Sequence, residues 1–394
     1  MKECIVITGV GVVSAIGCGK ADTLDALRSG RSGVGPVRYL ETSLKEYPVG
    51  EVPLSNAQMA ALTGAPASWP RTTLMSILAI REALAEAGLR SMETPDQVGG
   101  DGASRILVSG TTVGAMDLTE KIYPEYSPDH SCGACTDLAA LFVGGFDDAT
   151  TLSTACSSAA NAIIYGANLL RSGQCRCVVA GGSESLSNYH LNGFHSLMIL
   201  DRQPCRPFDE SRAGLNLGEG AAYLVLETLE GALNRGAKPL AVLSGFGNAC
   251  DAFHQTASSE NGEGAYLAMT EALKRAGLHP SDIDHVNAHG TGTPNNDASE
   301  SAALRRVFGD NMPPVSSTKP FTGHTTSASG SIEAVFCLLA MQEGFVPGQL
   351  NWHTPDPACI VPASPSTGHL KHVLTNAFGF GGNDTSLILS AYEE

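Results

Sequence analysis

The sequence predicts an α/β protein built from two similar halves, with helices packed between their β-sheets. Two amphipathic segments, residues 79–89 and 268–278, are identical at seven of eleven positions and lie about half the chain apart. Each is followed by an apolar strand and a Gly-Thr corner, in residues 105–114 and 284–293. This repeated order of helix, strand and corner favours duplication over a chance similarity between alanine-rich helices.

The remaining elements alternate in the manner of sheets that helices cover on both faces. The N-terminal segment is predicted to be a strand followed by a turn, because glycines interrupt its apolar run. Further apolar, β-branched strands are predicted over residues 177–181, 221–227, 241–247, 372–378 and 386–392. Helices are predicted near residues 157–171, 263–276, 297–308 and 331–343.

Composition and charge exclude several classes of function. The chain has 394 residues, of which 43% are hydrophobic, and a net charge of −16. A nucleic-acid partner is therefore not expected, since phosphate binding requires a basic face. No window resembles a membrane span or a secretion signal. The 11 cysteines are accordingly expected to be free thiols in a reducing compartment, and we expect a cytoplasmic protein.

Cys156 lies where an extended run gives way to a helical one, in the segment TLSTACSSAANAIIYGANLL. Ser157 and Ser158 are predicted to cap this helix, which would place the thiol at its N-terminus. The helix dipole and unpaired N–H groups at that position favour a thiolate and can bind an oxyanion. A buried structural cysteine fits the same local pattern equally well.

Three further segments carry groups that can do chemistry. His289 ends a strand before a Gly-Thr turn in VNAHGTGTPNND, although a lone histidine there is more often structural. Lys319, His324 and Glu333 surround a Gly-rich helix entry in SSTKPFTGHTTSASGSIEAV. Three ionisable groups leading into an apolar helix are costly to bury without a purpose, and a solvated loop is the alternative.

The last segment of this kind is NAFGFGGND, residues 376–384. Its glycines allow backbone N–H groups to approach a ligand closely, and the ring of Phe378 or Phe380 can act as a door. A Gly-rich β-turn without a function is the simpler interpretation of this segment alone.

Taken in order, STACSSA, NAHGTGT, STKPFTGH with GSIE, and NAFGFGG resemble the elongating β-ketoacyl-[acyl carrier protein] synthases of the thiolase superfamily. The resemblance extends from ITGVGVVSAIG to the last strand. It implies a thiolase-like fold of two duplicated βαβαβαββ halves in a layered α-β-α-β-α architecture. Residues 1–248 would form the half with the nucleophilic cysteine, and residues 249–394 the half with the two histidines.

The activity that this resemblance implies is a decarboxylative Claisen condensation. Cys156 would carry an acyl group as a thioester. His289 and His324, both uncharged, would hold the malonyl thioester carbonyl while CO₂ leaves and the enolate attacks. Lys319 and Glu333 would organise His324 and the local charge. The backbone N–H groups of Cys156 and Phe380 would form the oxyanion hole, and substrate would be bound by Thr291, Thr293, Phe378 and Gly381.

Three departures from the family pattern bear on the pathway. GFGGND replaces the usual GFGGTN, TTSASG follows His324 where LGAAG is common, and the segment before the nucleophile is short. HGTGT followed by NND is typical of type II polyketide or aryl-polyene ketosynthases. We therefore expect a specialised polyene or polyketide enzyme, with housekeeping fatty-acid elongation as one alternative. A non-catalytic subunit resembling a chain-length factor is the other, although such subunits usually lack the nucleophile.

The resemblance also implies partners. Substrates would arrive on the phosphopantetheine arm of an acyl carrier protein, with no other cofactor. The enzyme would form a homodimer, or a heterodimer with a related chain-length-factor subunit. Because carrier proteins are acidic, docking requires a local basic patch, for which Arg71, Arg202, Arg206 and Arg212 are candidates. No metal site is expected, since Cys175 and Cys177 are separated by one residue, a poor spacing for ligands.

Overall fold

The computed structural model describes residues 4–89 and 104–393. The strands are β1 (Ile5–Ser14), β2 (Gly17–Cys18), β3 (Val34–Gly35), β4 (Val49–Gly50), β5 (Arg105–Gly110), β6 (Asp148–Leu152), β7 (Cys177–Glu184), β8 (Gly220–Thr228), β9 (Ala241–Cys250), β10 (His285–Asn287), β11 (Val315–Ser316), β12 (Phe345–Val346), β13 (Ser366–Thr367), β14 (His372–Gly379) and β15 (Asn383–Ser390).

The helices within the same residues are α1 (Lys20–Ser29), α2 (Asn56–Thr63), α3 (Arg71–Glu86), α4 (Met116–Ile122), α5 (Cys132–Val143), α6 (Ser158–Arg171), α7 (Asn188–Ser196), α8 (Leu229–Asn234), α9 (Glu263–Ala276), α10 (Pro294–Phe308), α11 (Lys319–Thr322) and α12 (Ser329–Glu343). Single 3₁₀ turns occur at Pro128–His130, Pro280–Asp282 and Thr326–Ala328.

Two five-stranded groups of identical topology form the centre of the molecule. The N-terminal group has the order β6-β5-β7-β8-β1, and the C-terminal group has the order β11-β10-β14-β15-β9. In each group the first three strands run parallel to one another. The fourth strand is antiparallel to the third, and the fifth is antiparallel to the fourth. Together with α3, α5 and α6, and with α9, α10 and α12, they give the βαβαβαββ order twice. This confirms the duplication that the repeated helices predicted.

The two groups join into one continuous sheet where β1 pairs with β9, through Val6 with Val242 and Ile7 with Ala241. The boundary predicted after residue 248 falls inside β9. Because β9 pairs with β1 of the N-terminal group and with β15 of the C-terminal group, the position of this boundary stays a prediction.

The layers follow from the alternation of side chains along the strands. One face of the N-terminal group packs on α3 and α5, and one face of the C-terminal group packs on α9 and α10. The opposite faces of both groups share a single core with α6 and α12. These two helices form the central layer, and every residue of α12 from Ser329 to Ala340 is buried.

The central helices approach each other through small residues. A methyl group added at Gly330 of α12 would lie 2.7 Å from Cβ and 2.8 Å from the backbone nitrogen of Ala160 in α6. A side chain at position 330 would therefore not fit. Because α12 lies a few residues beyond His324, Gly330 sets the distance between the two halves close to the predicted catalytic histidine.

Replacing Gly330 with alanine is expected to push α6 and α12 apart. Overpacking of a core costs about 1–3 kcal/mol, so the melting temperature should fall by several degrees. Differential scanning calorimetry measures this. Gly133→Ala in α5 is the matched control, because nothing lies within 4 Å of a methyl group at that position. An unchanged melting temperature for Gly330→Ala would show that the crossing can relax.

Candidate active site

Cys156 sits on a tight turn between β6 and α6. The preceding Ala155 has a φ of 51°, a left-handed conformation that costs free energy for a residue with a Cβ. The serines do not cap the helix as predicted. Instead the hydroxyl of Ser157 donates to the carbonyl of Thr154 at 2.7 Å, and that of Ser158 to the carbonyl of Ala155 at 2.6 Å. These two bonds fix the turn that presents the thiol.

The turn meets the β14–β15 connection from the other half of the chain. A methyl group at Gly379 would lie 3.0 Å from the nitrogen of Cys156 and 3.2 Å from Cβ of Ala155. The backbone N–H groups of Phe380 and Cys156 both act on the sulfur as hydrogen-bond donors. This is the arrangement in which two donors can stabilise a developing oxyanion next to a thioester.

Burial dominates the electrostatics of the thiol. It raises the pKa of Cys156 to about 12, while the charge of Lys319 and the N–H group of Phe380 act in the opposite direction. The side chain is only 6% exposed. At neutral pH the resting sulfur is therefore a neutral thiol, not the thiolate that its position near a helix start suggested. The free-energy cost of burying an anion outweighs the helix contribution.

His289 follows β10 and is held through its backbone. The carboxylate of Glu300 accepts hydrogen bonds from the backbone nitrogens of His289 and Gly290, both at 2.8 Å. The Nζ of Lys319 lies 3.2 Å from Nδ1 of His289. An ammonium group only donates, so Nδ1 accepts and the ring proton resides on Nε2. Burial and the charge of Lys319 hold the pKa of His289 well below its usual value.

His324 has a different partner. Its Nδ1 lies 3.1 Å from the hydroxyl of Ser329, which in turn lies 3.1 Å from the hydroxyl of Thr325. Burial and Lys319 also hold the pKa of His324 well below its usual value. The two imidazoles are 5.2 Å apart between ring centroids, at 84°. Both rings are neutral, in agreement with the sequence-based expectation.

Lys319 and Glu333 form a buried ion pair with an Nζ–Oε1 distance of 2.7 Å. The sequence-based prediction that this pair organises His324 is corrected in one respect: the hydrogen bond of Lys319 goes to His289. The reason is geometric, since Lys319 begins α11 beside the end of β10, whereas Ser329 at the start of α12 is the group facing His324. Burial raises the pKa of Glu333 to about 7, and Lys319 opposes this shift.

A cavity of about 350 Å³ opens onto Cys156, His289 and His324 together. All four residues predicted to bind substrate line it: Thr291, Thr293, Phe378 and Gly381. The hydroxyls of Thr291 and Thr293 are 2.8 Å apart. The remaining wall is partly apolar and includes Phe194, Leu197, Ile199, Leu215, Phe380 and the segment Thr256–Ser258.

Phe380 closes this cavity against Phe194. Their ring centroids are 5.9 Å apart with an interplanar angle of 21°, a stacked arrangement. Phe194 lies on α7 in the N-terminal half, so the contact joins both halves above the thiol. The N–H group of Phe380 also acts on the sulfur, so one residue combines an aromatic ring in the cavity wall with a hydrogen-bond donor.

The candidate docking arginines separate into buried and exposed groups. The prediction that Arg71 contacts a carrier protein is wrong. Its guanidinium is buried and binds Glu219, with an Nη2–Oε1 distance of 2.6 Å, so it cannot meet a partner. Arg212 is likewise buried. Arg206 binds Asp201 at 2.7 Å and is largely covered. Only Arg202, whose side chain is 69% exposed, projects into solvent.

Several residues of the site were not predicted. Glu300, Ser329 and Phe194 act on predicted residues, and Glu184 is a buried carboxylate whose charge acts on Cys156. The hydroxyl run in TTSASG was the available signal for Ser329. Among the described residues, no cluster of three or more histidine, cysteine or acidic side chains could hold a metal ion, and no helix is long and apolar enough to cross a membrane.

Comparison with known proteins agrees with this geometry. The model of the β-ketoacyl synthase N-terminal domain matches residues 2–232, and that of the C-terminal domain matches residues 240–353. The chain is 33% identical to 3-oxoacyl-[acyl-carrier-protein] synthase 2 of Synechocystis sp., over 100% of this chain and 99% of that protein. It is 34% identical to nodulation protein E of Rhizobium meliloti, over 98% and 99%.

Among solved structures, the ishigamide ketosynthase/chain length factor superposes with a TM-score of 0.89 at 32% identity, covering 100% of both chains. The chain therefore belongs to the β-ketoacyl synthase family and has the thiolase-like fold. It is a ketosynthase, an acyltransferase that makes 3-oxoacyl thioesters.

Removing the hydroxyl of Ser329 tests how His324 is oriented. Ser329→Ala is expected to lower kcat/KM for condensation by about threefold to tenfold, because one hydrogen bond is worth about 0.5–1.5 kcal/mol. Steady-state kinetics measure the effect. Ser331→Ala on the same helix is the control, since its hydroxyl contacts the carbonyl of Ala328 rather than a histidine. Equal losses in both variants would rule out a specific role for Ser329.

Proposed function

We propose that the protein condenses malonyl-[acyl carrier protein] with an acyl group on Cys156 to give 3-oxoacyl-[acyl carrier protein]. The observation that carries this proposal is a cavity shared by one thiol from the N-terminal half and two neutral imidazoles from the C-terminal half. A neutral imidazole donates one hydrogen bond without protonating its ligand. That property suits a site that must hold an enolate without quenching it.

The first half-reaction is thiol–thioester exchange. The Cys156 sulfur attacks the acyl-carrier thioester, the carrier's pantetheine sulfur leaves, and the Cys156 proton passes to that leaving group. The N–H groups of Cys156 and Phe380 receive the oxyanion. Because the resting thiol is neutral, proton loss accompanies attack rather than preceding it.

The second half-reaction uses the histidines. Nε2–H groups of His289 and His324 bind the malonyl thioester oxygen, CO₂ leaves, and its bonding electrons form the enolate. The enolate carbon attacks the acyl carbonyl, the bond to the Cys156 sulfur breaks, and the thiolate takes one proton from solvent. Each hydrogen-bond donor of this type is worth about 3 kcal/mol in a transition state.

We also propose a specialised polyene or polyketide pathway. Support comes from the polar surroundings of the nucleophile. Glu184 accepts hydrogen bonds from the hydroxyls of Ser327 at 2.6 Å and Thr111 at 2.7 Å, and its charge acts on Cys156. A buried carboxylate whose charge acts on the thiol makes the surroundings of the sulfur less suited to a long saturated chain. A relative of known structure is a ketosynthase/chain length factor, whereas another is a synthase 2 enzyme.

The proposed partners follow from the same relatives. We propose that an acyl carrier protein delivers both substrates, with Arg202 as an exposed contact for its acidic surface. We further propose assembly as a homodimer or with a chain-length-factor-like subunit. No other cofactor is needed for the two half-reactions as written.

Acylation of Cys156 tests the activity. Incubation with acyl-carrier protein should add one acyl mass to the intact enzyme, and Cys156→Ala should lose both this adduct and condensation, by on the order of a thousandfold or more. Cys177→Ala is the matched control, because burial also raises the pKa of that thiol to about 12 but it lies outside the cavity. A folded wild-type protein that takes up no acyl group would favour the non-catalytic chain-length-factor-like role.

Competition between acyl groups tests the pathway. Carrier proteins bearing short unsaturated or aryl groups should be used with a kcat/KM about tenfold or more above those bearing long saturated chains, a difference within the range of pocket discrimination. Mass spectrometry of the products with malonyl-carrier protein measures this. Saturated long-chain products alone would favour housekeeping fatty-acid elongation.

A further inference from the structure

Two loops line the cavity, and backbone hydrogen bonds hold them together. The gate loop, residues 379–382, carries Phe380, and the facing loop, residues 251–258, contributes Thr256–Ser258 to the wall. The nitrogen of Gly381 donates to the carbonyl of Gln255 at 2.8 Å, and that of Asp251 donates to the carbonyl of Gly382 at 2.9 Å.

Asp384 lies directly beneath this junction, two residues after the gate loop. Its side chain is 5% exposed. A methyl group added at Gly264 would lie 2.0 Å from Oδ2 of Asp384 and 2.9 Å from Cβ of Asp251. Two aspartates therefore converge on one glycine at the start of α9. The family pattern GFGGTN places a neutral asparagine where this chain has Asp384.

The partners of the two carboxyl groups are unequal. Asp251 accepts hydrogen bonds from the nitrogen and hydroxyl of Ser259, both at 2.7 Å, and from the nitrogen of Gly264 at 3.3 Å. Asp251 therefore has three hydrogen-bond donors. Within residues 4–89 and 104–393, no side-chain hydrogen bond or ion pair involves the carboxyl of Asp384.

In the part of the chain that the structure describes, the other charged groups around Asp384 offer no compensating cation. Glu300 of α10 adds a second negative charge and binds the backbone of His289. Charged groups on the packing elements are paired or lie at their far ends: Glu263 with Arg306, Glu271 with Lys274 and Arg275, Glu333 with Lys319, Glu343 with Arg28, Arg171 over Phe246, and His372 with Ser390. His254 lies in the facing loop and binds Thr256.

We propose that Asp384 is a positioning residue that latches the gate loop while its carboxyl group is protonated and releases it when that group ionises. The protonated group tolerates Asp251 at close range, whereas two carboxylates there repel each other and separate the loops. Release would displace Phe380 and its N–H group from the sulfur. The expected effect on catalysis rests on the proposed role of that N–H group, whereas the expected opening of the loops does not.

The geometry agrees with the direction of the titration. Burial, Asp251 and Glu300 raise the pKa of Asp384 from 3.8 to about 8. Between these values the folded chain holds a proton that the unfolded chain has lost. Stability therefore falls as pH rises through this window. The latch is closed at neutral pH and opens progressively above about pH 8.

Hydrogen exchange of the gate tests the latch without reference to catalysis. In the wild-type protein the amides of Asp251 and Gly381 should lose protection, corrected for intrinsic exchange, by about tenfold between about pH 7 and pH 9. Asp384→Asn, which keeps the shape and cannot ionise, should retain protection throughout. Asp310→Asn makes the same substitution at an exposed site and should behave like wild type.

The activity profile provides the second readout. Condensation measured with small thioester substrates should lose about tenfold in kcat across the same interval in the wild type and in Asp310→Asn, and little in Asp384→Asn. Asp384→Asn could retain gate protection and still lose kcat with pH as the wild type does. That result would support the latch and reject the role of the Phe380 N–H group.

Two results would overturn the inference. One is gate protection in the wild type that does not change from about pH 7 to pH 9, which also decides the matter if Asp384→Asn does not fold. The other is the same loss of protection in Asp384→Asn as in the wild type. Either result leaves the proposed condensation intact, because acylation of Cys156 is measured separately.

Discussion

The close contact between the two halves is the constraint on which the site depends. α6 and α12 cross at Ala160 and Gly330, and the gate loop reaches the nucleophile through Gly379. The thiol comes from one half, and both imidazoles come from the other. Larger side chains at these points would move the sulfur and the imidazoles apart. Small residues at the crossing are therefore a requirement of the chemistry, beyond their effect on packing density.

Burial determines how the charged groups of the site behave. Burial, together with the charge of Lys319, keeps both imidazoles in their neutral form, and Lys319 is itself paired with Glu333. The same burial keeps the thiol protonated. The thiol and the two imidazoles are thus uncharged at rest, and the hydrogen-bond donors of the site are directed at places where negative charge develops only during reaction. Such donors need little rearrangement in the transition state.

The sequence was sufficient for the architecture and for the residues in distinctive motifs. Periodicity located α6, α9, β7 and β8, and the motif order brought Cys156, His289 and His324 to one cavity. Boundaries shifted where caps were not recognised, since α10 begins at Pro294 and β15 at Asn383. The short, largely polar strand β6 carried no periodic signal. Ser329, Phe194 and Glu300 were missed because their roles arise from contacts across elements, and Arg71 was misjudged because burial is not visible in a charge pattern.

Phe380 joins two properties that would be separable on different residues: its ring stacks on Phe194 over the cavity, and its N–H group faces the sulfur. In the mechanism proposed above, displacement of the Phe380 ring would also remove half of the anion-binding site. Water that entered at that moment would meet an acyl-enzyme without full electrophilic activation. The stored acyl group would then resist hydrolysis between carrier deliveries, so this linkage would protect yield as well as rate.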